Sequence, residues 1–145
     1  MSRRVCVNSG PLRFVQEISV GPHAFQADES SEYGAKDAGP NPHELLLAAL
    51  GSCASTTVRM YAERKQWRVD AVHVDLSYVT TPPGSGASVN SEVVDSIEMV
   101  ISFSGDLSNA QRARLLEISK RCPVHRILVS QVKIHTKLLV PNSLE

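Results

Sequence analysis

The chain has 145 residues, 42% of them hydrophobic and 21% charged, enough to build a real core; a domain of that size buries roughly 68–70% of its unfolded surface. Fifteen basic residues balance fifteen acidic ones, and neither a basic stripe nor a run of stacking aromatics is visible, which excludes an electrostatic reader of nucleic acid. No stretch approaches the roughly 20 apolar residues of a membrane span, and the start Met-Ser-Arg-Arg-Val-Cys-Val lacks the apolar run of a signal peptide. One domain over residues 1–145, in the cytoplasm and without a membrane partner, is the expectation.

In chain order, Cys6 fits a plain strand residue, since free cysteine commonly behaves as a small buried hydrophobe. Residues 14–20 partly alternate, and Gly21-Pro22 signals a turn into residues 23–28, so a hairpin or meander is expected. Residues 29–41 are polar and interrupted by Gly and Pro, a loop long enough to suggest function. Asn41-Pro42-His43-Glu44 then supplies an N-cap, a proline at the first helical position and a glutamate at the third, the pattern of a capping box. From Leu45 to Ala54 the sequence has almost no polar side, which suits a helix covered all round. Glu63-Arg64-Lys65 reads as the solvated end of that helix, with its positive charge suited to the dipole.

Residues 72–78 alternate strictly, as a half-buried strand should, and residues 97–103 look like their antiparallel partner across the connector Pro82-Pro83-Gly84-Ser85-Gly86. Ser108 and Gln111 form the capping box of a second helix, whose inner stripe is Leu115, Leu116, Ile118 and Ser119 and which Pro123 stops. A short helical turn follows through Val129. Val132, Ile134, Thr136, Leu138 and Val140 alternate as a last strand. The order β-β-α-β-β-α-β makes an α+β fold.

Cys53 and Cys122, 69 residues apart, are the candidate reactive groups. Three cysteines are odd in number and too few for a secreted disulfide framework, and in a reducing compartment a disulfide is more often transient and catalytic. Leu46, Ala49, Leu50, Thr56, Thr57 and Met60 share the helix face of Cys53. Such apolar surroundings alone raise a thiol pKa. Cys53 is thus either an inert core cysteine or one activated from elsewhere in the fold. Cys122 has Lys120, Arg121, His125 and Arg126 around it, and Pro123 leaves it at a helix N-terminus; both features favour the thiolate. A helix-ending Cys-Pro among solvated basic residues fits the same string. Cys122-Pro-Val-His125 has metal-like spacing that His43 and Cys53 could complete, but one Cys-x-x-His is too little to assign a metal, and none is expected. His73 and His135 read as solvent-facing strand residues. Neither a Gly-x-Ser-x-Gly string nor a phosphate-binding glycine loop occurs, which removes support for serine hydrolase or nucleotide chemistry.

The strings Gly39-Pro-Asn-Pro-His-Glu-Leu-Leu-Leu-Ala-Ala-Leu-Gly-Ser-Cys53 and Arg121-Cys-Pro-Val-His125 resemble the OsmC/Ohr family of thiol proteins that reduce organic hydroperoxides. Thr56-Thr57-Val-Arg-Met-Tyr-Ala-Glu-Arg-Lys65 is similar to the OsmC-like branch typified by YhfA-type proteins. The resemblance implies an intertwined homodimer with curved antiparallel sheets around two long helices. It implies Cys53 as the peroxidatic thiol and Cys122 as the resolving thiol, a small organic hydroperoxide as substrate, no cofactor, and a dithiol reductant such as a lipoylated protein. Family members pair an arginine from an early loop with a glutamate at the start of the first long helix. Here His43 stands at the glutamate's position, and the arginine's loop, near Gly21-Pro22-His23, has no arginine. Arg13 and Arg59 are the conceivable replacements. His43, with His23, is the expected activator of Cys53, because a charged imidazole near a thiol lowers its pKa. The departures also favour an alternative: a non-catalytic or redox-sensing protein of the same fold that binds a small apolar ligand.

Overall fold

A computed structural model describes residues 3–81 and 94–140. The connector expected at Pro82–Gly86 lies outside the described residues. Three N-terminal strands, β1 (Val5–Ser9), β2 (Gln16–Val20) and β3 (His23–Ala27), form an antiparallel sheet in that order. The turn between β2 and β3 holds Gly21 at φ 56°, a conformation cheap only for glycine, and it pairs Val20 with His23. A single 3-10 turn at Ser31–Tyr33 interrupts the following loop. The loop is organised by Asp28, which is buried and accepts the amide N–H groups of Glu29 at 2.8 Å and Ala38 at 3.0 Å.

Helix α1 (Pro42–Lys65) starts as expected: the Asn41 side chain accepts from the Glu44 amide, and the Glu44 carboxylate accepts from the Asn41 amide. Leu50, Ala54, Val58 and Ala62 recur every fourth residue and form its buried stripe. The expectation of an all-round cover is not met within one chain, because Leu46 and Met60 face outward, Met60 66% exposed. By length and composition α1 is also apolar enough to cross a membrane, contrary to the sequence expectation. Its buried stripe packs instead on β4 (Ala71–Thr81), α2 (Asn109–Ser119) and α3 (Pro123–Leu128). A soluble core helix can pass the same length and composition test.

Strand β4 pairs antiparallel with β5 (Val94–Ser104) over eleven residues, from Ala71 opposite Ser104 to Thr81 opposite Val94. Alternation directs Val72, Val74 and Leu76, with Ile97, Met99 and Ile101, toward the helices. Two clusters make the core. Leu50, Ala54 and Cys122 centre one; Val58, Ala62 and Leu115 centre the other, flanked by Trp67, Val72 and Phe103. At Gly51 a β-carbon would stand 2.7 Å from Leu76 Cδ1, so any larger residue would have to push the Leu76 side chain aside where α1 meets β4. Arg59 bridges the same elements, donating to the carbonyls of Val69 and Asp70. The capping box of α2 forms as expected, with Leu115, Ile118 and Ser119 buried, whereas Leu116 turns half outward.

The last expected strand is absent among the described residues. Residues 131–140 carry no strand pairing, and Ile134, Leu138 and Leu139 are 85%, 88% and 91% exposed. Their alternation is real, but a strand exists only where a second backbone supplies hydrogen bonds, and none of the described residues supplies them there. The element order is therefore β-β-β-α-β-β-α-α, still α+β, with two separate antiparallel sheets.

Candidate functional site

Both cysteines converge on the first core cluster. Cys122 is the N-cap of α3: its backbone is extended, Pro123 occupies the first helical position, and its Sγ accepts the His125 amide at 3.3 Å. That placement matches the expectation. The protonation does not. Cys122 is 0% exposed, and burial is the largest influence on its thiol, pushing the pKa up from the ordinary value. The His125 amide works in the opposite direction, and the neighbouring Cys53 sulfur raises the pKa further. Lys120, Arg121 and Arg126 are exposed and are not among the groups acting on the sulfur. Charges read as local in sequence thus point into water, and burial favours the protonated thiol of Cys122.

Cys53, half-buried on α1, packs against Leu50, Ala54 and Cys122. Its helix turn is held by Thr57, whose hydroxyl donates to the Cys53 carbonyl at 2.8 Å. Cys53 and Cys122 are both free thiols. Cys6 is exposed on β1, in the three-stranded sheet, rather than buried as expected.

A cavity of about 280 Å³ opens between α1, β5 and α3. Its apolar wall, Leu50, Ile97, Met99 and Leu128, belongs to the same core cluster as the two thiols, although neither Cys53 nor Cys122 lines it. Its two ionisable lining groups are Asp95 and His125. Asp95 accepts the Thr80 hydroxyl at 3.2 Å, and its carboxylate raises the pKa of the nearby Tyr78 phenol. Neither Tyr78 nor Asp95 stands out in the sequence. Both extend the inward parity of their strands, Tyr78 two residues past Leu76 and Asp95 two before Ile97, and that parity was the available signal.

His43 is not beside Cys53. Ten residues of helix separate them by about 15 Å of rise, so any influence must pass through other groups. The His43 ring lies instead against Tyr78, with centroids 4.8 Å apart. His23 is exposed on β3, in the other sheet. Arg13 lies over the Phe14 ring at 4.6 Å, and Arg59 is tied to the Val69 and Asp70 carbonyls. No group of three or more His, Cys, Asp or Glu side chains fit to hold a metal occurs among the described residues.

Residues 34–137 match the model of the family described as OsmC-like protein. No curated protein matches the sequence. Among solved structures, the chain is similar to an OsmC-like protein from Mycoplasma pneumoniae, with 18% identity, TM-score 0.71 and coverage of 88% of this chain and 87% of that one. It is similar to an organic hydroperoxide resistance protein OsmC from Legionella pneumophila, with 14% identity, TM-score 0.64 and coverage of 89% and 90%. It is also similar to the organic hydroperoxide resistance protein OhrB of Bacillus subtilis, with 14% identity, TM-score 0.62 and coverage of 89% and 91%. At these identities the likeness establishes the fold.

Proposed function

The chain belongs to the OsmC-like family, and on that footing we propose that it is a thiol peroxidase reducing small organic hydroperoxides. The observation that carries this reading is the packing of Cys53 beside the buried Cys122 thiol, next to an apolar cavity. In the proposed cycle the Cys53 thiolate attacks the distal peroxide oxygen. The O–O bond breaks, the alkoxide takes a proton and leaves as an alcohol, and Cys53 becomes a sulfenic acid. Cys122 then attacks that sulfur, an S–S bond forms, and the oxygen leaves as water. An external dithiol, of the lipoyl kind, restores both thiols by two exchange steps.

The apolar wall suits an organic substituent better than hydrogen peroxide alone. His43 is a positioning residue here, acting through Tyr78 rather than on the sulfur. The working form is a homodimer in the cytoplasm. Support for the dimer comes from the outward apolar residues of α1 and from the exposed apolar run 131–140, which has a strand pattern and no partner strand among the described residues.

Consumption of cumene hydroperoxide with dihydrolipoamide, wild type against Cys53→Ser, tests the reading. Loss of consumption in the variant is expected; equal consumption by both proteins would refute it. The same cavity also supports a second reading, a redox-sensing or ligand-binding protein without efficient turnover, because no arginine reaches the thiols among the described residues. Stoichiometric oxidation of Cys53 without turnover distinguishes that case.

A further inference from the structure

We propose that Asp95 is a selectivity residue of the cavity, turning away substrates that carry a carboxylate and leaving neutral organic hydroperoxides as the preferred class. The inference rests on reading the cavity as the substrate's seat. Apolar side chains alone sort ligands by size and shape, so discrimination by charge must come from the ionisable lining groups, Asp95 and His125. Asp95 is held in place from its own sheet. The Thr80 hydroxyl donates to it at 3.2 Å, and Tyr78, whose phenol pKa the carboxylate raises, lies near it with the His43 ring against the phenol. A donor hydroxyl on Asp95 is the hydrogen bonding that a carboxylate accepts and that a second carboxylate cannot supply. Among the described residues no lysine or arginine lines this cavity, and His125 is its one imidazole, so a ligand carboxylate entering it meets the Asp95 charge without a permanent cation to offset it.

The magnitude follows from exposure. Asp95 lies at the solvent-exposed end of the ribbon, so screening limits the repulsion to about one order of magnitude rather than several.

The test compares kcat/KM for cumene hydroperoxide and for its para-carboxylate at pH 8 and low salt, in wild type, Asp95→Asn and Asp95→Glu. Wild type is expected to favour the neutral substrate about tenfold, which corresponds to about 1.4 kcal/mol. Asp95→Asn should bring the ratio to within about threefold of unity, chiefly through KM for the carboxylate, while Asp95→Glu keeps the preference. Added salt should shrink the wild-type ratio. A wild-type ratio near one, or a ratio that Asp95→Asn leaves unchanged, overturns the proposal. Should wild type consume neither compound, the peroxidase reading fails by itself, and titration calorimetry with cumyl alcohol and its para-carboxylate then decides on Asp95. Tighter binding of the alcohol, lost in Asp95→Asn, upholds the proposal; equal affinities, or no binding of either, overturn it.

Discussion

Cys122 is wholly buried beside Cys53, and that burial, with the Cys53 sulfur adding to it, keeps its proton on. In the proposed chemistry this arrangement divides the labour. The half-buried Cys53 meets the peroxide, and the sealed Cys122 waits as a thiol for the sulfenic acid. A buried neutral thiol is itself protected from direct oxidation, since reactivity follows thiolate character and exposure.

Cys122→Ser should therefore leave a single turnover. Stopped-flow oxidation of Cys53 proceeds in the first cycle, the sulfenic acid accumulates and trapping reagents capture it, and steady consumption stops. Stability should fall by less than about 1–2 kcal/mol, the scale for burying a hydroxyl in place of an apolar group. The loss is offset because serine is itself a good N-cap for the His125 amide. Chemical denaturation checks the second half.

His43→Ala should slow sulfenic acid formation by about threefold to thirtyfold, the range for a residue coupled through an intermediate. Tyr78→Phe keeps the ring under His43 but removes the hydroxyl from Asp95, so the two variants separate stacking from hydrogen bonding. An unchanged stopped-flow rate constant in His43→Ala would remove His43 from the account.

Much of this site was legible in the chain. The Asn41/Glu44 and Ser108/Gln111 boxes located the starts of α1 and α2, and Cys122-Pro123 announced an N-cap, whereas α2 ends at Ser119, short of the proline expected to stop it. Short-range chemistry decides such features. The state of Cys122 was not legible, because Lys120, Arg121 and Arg126 are near it in sequence yet turned to water, and burial is a tertiary property. The run 132–140 misled for a related reason: alternation reports which faces are apolar, not whether a second backbone is present. His43 was judged by angle around the helix, which ignores the rise along it. Asp95 passed unnoticed as a polar residue at the margin of an apolar strand.

Gly51→Ala should destabilise the protein although alanine favours helix by about 1 kcal/mol. The added carbon meets Leu76 Cδ1 at 2.7 Å, and overpacking of this kind costs about 1–3 kcal/mol. A net loss near 1 kcal/mol in urea titration is expected. Because Cys53 follows two residues later, hydroperoxide consumption should fall as well.

Acid should loosen the loop that leads into α1. The amides of Ala38, Glu29 and Lys36 hold the Asp28 carboxyl below its ordinary value of 3.8, the Ala38 amide most strongly. A depressed folded pKa means that the stabilisation is complete above about 3.8 and is lost as pH falls through the lower folded value. Exchange of the Ala38 amide should accelerate relative to amides in α1 below that pH, and Asp28→Ala should show the faster exchange already at pH 7.

Replacing the apolar run should break the proposed dimer. Ile134→Asp with Leu138→Asp puts two charges on side chains that are now 85% and 88% exposed. Sedimentation should shift from dimer toward monomer, while a wild-type protein that sediments as a monomer would contradict the proposed assembly.

In the proposed cycle Cys53 and Cys122 form a working redox pair. Non-reducing mass spectrometry of peptides after one equivalent of cumene hydroperoxide should then show a Cys53–Cys122 crosslink, with a loss of two hydrogens and full reversal by dihydrolipoamide. Oxidation that stops at a Cys53 sulfinic acid, with Cys122 still reduced and no crosslink at any time, would contradict it.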